Sequence, residues 1–519
     1  MEVQNQSENN KRIAINTLLL YARMLLILVI SLYTSRVVLA TLGVEDYGIY
    51  NVVGGVVTMF TFLNYAMSNS SHRYITYALG KGNKHELYAV VSVTCMIHLA
   101  IAIIILLLAE TVGLWFLHNK MVIPEDRMAA ACWVYQFSIV SCITSIICVP
   151  FNAIIIAHEK MEAYAFISIL DAFLKLVIVF LIQAFVGDKL IYYAALVLLV
   201  SLLDVTFYIL YCRAHFDEAR HVHFKRYKQL NEMTSFAGWS LIGNLAYIGY
   251  TQGLNLLLNL FFGPIVNAAR GVAVQVEGAI KGFVANFQTA VNPQIVKSYA
   301  QEDFSRLHRL IYSSSKLGFY LLLCLVLPVC VESKMILSLW LKEVPDYAVL
   351  FTVLVLLVSL QEPLRNPIDR ANQATGNIKK YQIFEGGSLL LILPFAYLAL
   401  KLEGQPYWVF LVQLIIMYLV QILRLFLVCS KIHMSKREYF KQVLFKVAVV
   451  SLVSSALPIT LHSLMPHTIL SSAIVVCISV LSVLFSSYFF GLDVSERTFV
   501  NGKIYAIRDR FYNFLNKRS

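Results

Sequence analysis

Apolar residues in this chain run in long blocks, separated by short polar stretches rich in Lys and Arg. A bilayer core of about 30 Å takes about 20 mostly apolar residues as a helix. Fourteen segments meet that requirement: 13–42, 46–70, 88–115, 129–156, 163–186, 190–212, 233–262, 267–296, 310–333, 347–372, 382–400, 407–429, 443–464 and 468–490. The pattern therefore predicts an all-α integral membrane protein with about fourteen transmembrane helices.

Composition agrees. Of 519 residues, 59% are hydrophobic and 14% charged, with mean hydropathy +0.70. Soluble domains carry nearer a quarter charged residues. The net charge of +12 then does not imply nucleic acid, because cationic residues collect in cytoplasmic loops of membrane proteins. With the N-terminus inside, the outside loops hold only Lys120, Arg127, Lys189, Lys334, Lys342 and Lys401. Most of the remaining Lys and Arg fall in inside segments, so both termini are expected in the cytoplasm. The first apolar run is too long for a cleaved signal segment and reads as the first span. The nine Cys form no CxxC pair and no metal spacing, and read as small buried hydrophobes.

Weak internal repeats divide the chain. LGVEDYGIYNVVGG, opening span 2, is echoed by FGPIVNAARGVAVQ, opening span 8. LWFLHNKMVIPEDR after span 3 is echoed by LWLKEVPDYA after span 9, and IAHEKMEAYAFISIL entering span 5 by ATGNIKKYQIFEGGSLL entering span 11. The expected organisation is an N-lobe (1–212), a basic linker (213–232), a C-lobe (233–430), an extra helix pair (431–490) and a basic tail (491–519). Six spans per lobe put both lobes in the same orientation, related by an axis along the membrane normal.

Span 8 puts three full charges where each is expensive. At about 100° per residue, Arg270, Glu277, Lys281, Gln288 and Asn292 fall on one narrow stripe. Such a stripe faces protein or water, never lipid. Glu277 and Lys281, four apart with the acid first, are also placed for a plain salt bridge, which leaves Arg270 unaccounted for. Asn244, Thr251 and Asn255 share a face of span 7. Asn51, Thr58, Tyr65 and Asn69 share one of span 2, and Asn16, Arg23 and Thr34 one of span 1. Polar stripes on spans at equivalent places in both halves predict a central cavity. Arg36, near the outer end of span 1, reads equally well as snorkelling. Asp171 and Lys175 form an i, i+4 pair in span 5. Span 10 ends EPLRNPIDRANQ, where Pro363 and Pro367 should kink the helix beside Glu362, Arg365, Asp369 and Arg370. That cluster is either a gate or an ordinary charged helix end.

Span-associated cations (Arg23, Arg36, Arg73, Lys175, Arg270, Lys281, Lys316, Arg365, Arg370, Arg424, Lys446) outnumber the anions (Asp171, Asp204, Glu277, Glu362, Asp369, Glu385). Surplus positive charge suits an anionic cargo, which Arg can grip through paired N–H groups. No Walker A motif, HExxH or GxSxG is present, and no cofactor or bound metal is indicated.

The stretches Ser35–Gly55 (SRVVLATLGVEDYGIYNVVGG), Asn69–Asn83 (NSSHRYITYALGKGN) and Leu339–Pro345, with the fourteen-span layout, resemble the multidrug/oligosaccharidyl-lipid/polysaccharide (MOP) exporter superfamily. Within it, the likeness is to Wzx-type O-antigen and capsule repeat-unit flippases of the bacterial inner membrane. The resemblance implies two six-helix lobes in a V, plus a helix pair, working by alternating access. It implies as cargo an undecaprenyl-diphosphate-linked oligosaccharide, with membrane lipids and the pathway's polymerase and chain-length proteins as partners. An ion gradient of H+ or Na+, or the membrane potential, would drive it. On this reading Arg270, Lys281 and Arg23 hold the diphosphate. Asn51, Thr58, Asn244, Thr251, Asn255 and Gln288 meet sugar hydroxyls, and Glu277, then Asp171, is the coupling carboxylate. The alternatives are a cation-coupled multidrug exporter and a membrane glycan polymerase or ligase, the only enzyme among the three.

Overall fold

A computed structural model describes residues 2–59, 62–119, 123–223, 228–341, 344–402, 404–466, 468–494, 496–498 and 501–502. Among the described residues every regular element is helical. The principal helices are α1 (Glu2–Met59), α2 (Phe62–Lys81), α3 (Lys84–Asn119), α4 (Met128–Ala157), α5 (Met161–Ala184), α6 (Lys189–His215), α7 (Gln229–Ala300), α8 (Phe304–Val331), α9 (Ala348–Ala374), α10 (Lys379–Lys401), α11 (Trp408–Val428), α12 (Lys436–Leu464) and α13 (Ile469–Gly491). Ten of these are long and apolar enough to cross a membrane, so the chain is a multi-pass membrane protein.

Two helices are far longer than a bilayer is thick. α1 breaks at Gly43, whose φ of 81° and ψ of 168° leave the helical region. That break falls between the segments predicted as spans 1 and 2. α7 is assigned as one helix of 72 residues, where the apolar pattern predicts two spans. Arg270 Nη2 nevertheless donates to the Thr251 carbonyl at 2.9 Å, across 19 residues that a straight helix would stretch over about 28 Å. The chain must double back between them, so spans 7 and 8 lie side by side. α9 is interrupted at Leu360–Gln361, next to Pro363, which lacks the N–H and crowds the preceding turn.

The described residues pack as two compact units. The first contains 1–247, 289–307 and 370–386; the second contains 248–288, 308–369 and 387–519. In the first, one apolar core joins Ile75, Val91, Ile154 and Cys212 of α2, α3, α4 and α6. Arg127 clasps Asp46 (2.7 Å) and Asp188 (2.8 Å), tying the start of α4 to α1 and α6. In the second, Lys316 is wholly buried and meets Asp493 at 2.6 Å and Glu496 at 2.9 Å, and Lys446 also pairs with Asp493. Burial works to raise the Asp493 carboxyl, but the two lysines outweigh it and hold it below its ordinary range. All nine cysteines are free thiols, and Cys477 is exposed rather than buried.

Candidate functional site

On α7 the three charged groups of the expected stripe are each engaged. Lys281 Nζ lies 2.6 Å from Glu277 Oε1, the salt bridge that the i, i+4 spacing allowed. Arg270, which that pair leaves over, turns to the other arm of the helical hairpin. Its Nη1 donates to Asn255 Oδ1 at 3.2 Å and its Nη2 to the Thr251 carbonyl. Three residues predicted to bind cargo are thus one cluster in the second unit. Arg270 Nε is buried without an acceptor, and so is Nε2 of the buried Gln288.

The first unit holds a comparable pair of groups. Arg23 Nη1 donates to Ser168 Oγ at 3.2 Å, and the guanidinium lies 4.6 Å from the Tyr164 ring centre. Its Nε, and Nδ2 of Asn244, are buried without acceptors. Four predicted binding residues therefore each carry a buried N–H that no protein group satisfies, which costs about 1–3 kcal/mol apiece unless something fills it. The side chains of Asn51 and Thr58 lie outside the described residues.

Asp171 pairs with Lys175 at 2.8 Å, as its spacing predicted. Asp204, on the adjacent α6, sits against Asp171 and has a buried Oδ1 without a donor. Sequence reasoning had Asp204 only as an isolated anion, since nothing along the chain links it to Asp171. At the predicted gate, Glu362 and Arg365 form a loose pair at 3.9 Å, while Arg370 Nη1 donates to Gln373 Oε1 at 2.9 Å. Asp369 is half-buried.

The surplus of cations within spans is smaller than the sequence count implied. Lys316 and Lys446 are neutralised by Asp493 and Glu496, which follow the last span and so escaped that count. Arg424 is fully buried, with Nη1 on Gln361 Oε1 at 2.8 Å and Gln421 Oε1 at 3.0 Å. These three are structural cations.

Sequence reasoning also passed over two contacts in the first unit. Glu159 accepts from Lys297 at 2.7 Å. Arg73 donates to the carbonyls of Gln373 (2.9 Å) and Ala374 (2.8 Å), borders a cavity of about 560 Å³, and lies against Tyr74, Tyr77 and Phe236. Among the described residues no group of three His, Cys, Asp or Glu is placed to hold a metal ion.

The profile of the family described as "Polysaccharide biosynthesis protein" matches residues 10–299. The chain belongs to that family. A Wzx-type flippase fits within it. No curated protein matches in sequence. Among solved structures, the fold is similar to a MATE protein in the bent conformation (13% identity, TM-score 0.71, covering 82% of this chain and 96% of that one). It is similar also to an outward-facing multidrug resistance MATE family transporter of the MOP superfamily (13%, 0.69, 82% and 96%). A third is a MOP superfamily transporter from Pyrococcus furiosus, described by the reversed polarity of its binding pocket (14%, 0.66, 82% and 96%). The protein of this polysaccharide biosynthesis family thus has the fold of MOP transporters.

Proposed function

We propose that this chain flips undecaprenyl-diphosphate-linked oligosaccharide repeat units, of O-antigen or capsule, across the bacterial inner membrane by alternating access. The observation that carries this reading is the cluster in which Arg270 reaches Asn255 and Thr251 while its buried Nε meets no acceptor. Diphosphate and sugar oxygens are acceptors, and guanidinium N–H groups are strong donors to them. Arg270, Lys281 and Arg23 take the diphosphate in this account. Thr251, Asn255, Asn244, Gln288, Asn51 and Thr58 take sugar hydroxyls. Glu277, or Asp171 with Asp204, couples transport to H+ or Na+. Family membership in polysaccharide biosynthesis supports the cargo class.

Replacing Arg270 by Ala should abolish surface glycan while the protein still inserts, with lipid-linked repeats accumulating in the inner leaflet. Normal surface glycan in that variant would remove the assignment. Repeats already flipped but unjoined would point to a polymerase or ligase. The fold is also that of multidrug exporters, so resistance to organic cations that rises with expression of the chain would favour that second reading.

A further inference from the structure

In the first unit, α1, α5 with the turn before it, and α7 meet in two successive layers, and α1 and α5 in a third. At the ends that the Lys and Arg distribution assigns to the cytoplasm, the Glu159 side chain is 1% exposed. It accepts from Lys297 Nζ at 2.7 Å and from Gln294 Nε2, and Arg306 in turn donates to Gln294. Asn16 Nδ2 on α1 reaches the Glu159 carbonyl at 3.4 Å. About one turn deeper, Leu20, Met161 and Ala290 are each 0% exposed and pack together, with Ile156 and Tyr164 against them. A further turn in lies Arg23 on Ser168. At 1.5 Å per residue, Arg23 is about 10 Å beyond Asn16 along α1. A polar clasp and then an apolar plug therefore stand between that face and Arg23.

A second clasp has the same logic. Arg73, only 7% exposed near the end of α2, closes on the last carbonyls of α9, where unsatisfied C=O groups and the helix dipole favour a cation. In the repeat, span 2 corresponds to span 8, and the turn entering span 5 to the turn entering span 11. The cation ending span 8 (Lys297) holds the turn before span 5. The cation near the end of span 2 (Arg73) holds the turn before span 11. Both clasps join segments that the sequence assigns to opposite halves.

We infer that Lys297–Glu159 and Arg73–Gln373/Ala374 are the paired clasps of an inner gate over Leu20, Met161 and Ala290, which must part for a ligand to reach Arg23 from the cytoplasm. This rests on the transport reading. The two are nevertheless separable by experiment, because gate opening can be read without any cargo.

The full chain, with its nine cysteines replaced by Ala and Ser168→Cys added, would be labelled with a membrane-impermeant maleimide in inside-out vesicles. Labelling is expected to be slow with both clasps intact and several-fold faster in Glu159→Lys. It should slow again in Glu159→Lys/Lys297→Glu, where the pair is reversed and a folding defect would persist. An unchanged rate in Glu159→Lys, or no recovery in the double variant, overturns the gate. In cells whose surface polysaccharide depends on the chain, a permeant bismaleimide joining Glu159→Cys to Lys297→Cys should stop glycan delivery. In either single-cysteine variant the reagent should leave delivery at the level of that variant untreated. Delivery by the tethered chain overturns the requirement for opening. If labelling behaves as expected while Arg270→Ala leaves glycan normal, the gate stands and the cargo assignment falls.

Discussion

The turn at His158–Lys160 and the turn at Thr375–Asn377 solve one problem with different chemistry. Aligned as AHEKMEAY and ATGNIKKY, they put Ala157 on Ala374 and Tyr164 on Tyr381. The left-handed residue falls at the same place in each, Glu159 at φ 60° and Gly376 at φ 76°. Gly is the unstrained choice for that backbone. At Gly376 a Cβ would also come within 2.7 Å of Arg73 Nη2, so the guanidinium would have to shift. At Glu159 the left-handed conformation is borne by a residue whose carboxylate receives Lys297 and Gln294 and whose backbone carbonyl receives Asn16. A shared backbone thus supports two clasps of opposite design. One brings its cation onto helix-end carbonyls, and the other onto a carboxylate.

The comparison is broken most severely by Lys297→Met. It takes Lys297 away from the buried Glu159 carboxylate, and loss of one partner of a buried pair costs up to about 3–5 kcal/mol. Thermal unfolding of the purified protein should show a large drop in Tm, and adding Glu159→Gln should recover most of it. No recovery would mean that Lys297 acts elsewhere. Gly376→Val comes next. A β-branched residue at positive φ that also presses on Arg73 should cost about 2–3 kcal/mol, whereas Glu159→Gly relieves strain while losing hydrogen bonds and should shift Tm less. Equal losses at the two sites would show that backbone conformation does not distinguish the turns.

The smallest expected effect depends on pH and sharpens the contrast between the flanking residues. His158 Nε2 lies 2.6 Å from Glu218 Oε1, while Thr375 donates locally to the Asn372 carbonyl at 2.7 Å. Burial works to raise Glu218, but the contact with His158 outweighs it and lowers the carboxyl below its ordinary value. A depressed carboxyl contributes stability above the unfolded-state pKa of about 4.3, and loses it as pH falls through the folded-state value. Melting temperature should therefore fall below about pH 4, through a loss of less than about 1 kcal/mol of stability from this group, and Glu218→Gln should flatten that part of the profile.

Much of the fold was legible along the chain. The apolar block at 163–186 became α5 (Met161–Ala184), and 407–429 became α11 (Trp408–Val428), because hydrophobic length is a local property. The pairs Asp171–Lys175 and Glu277–Lys281 were legible for the same reason, since helical spacing alone brings such residues together. The partners of Arg270 were half legible. Asn255 and Thr251 were placed on a common face of span 7, but only the hairpin brings that face to Arg270. Asp204 against Asp171, Lys316 against Asp493, and Arg73 against Gln373 had no signal, their partners being 33, 177 and 300 residues away.

By itself the sequence determined a membrane-spanning, all-helical chain with charged stripes too costly to face lipid, because bilayer thickness and helical period act on consecutive residues. The tertiary structure decided which of those charges are spent on one another and which keep unsatisfied N–H groups. Arg424 and Lys316 were indistinguishable from Arg270 and Arg23 as letters within apolar runs. Only the packing of distant helices set Lys316 on Asp493 and Glu496 and Arg424 on Gln361 and Gln421, and set Arg270 on Asn255 and Arg23 on Ser168.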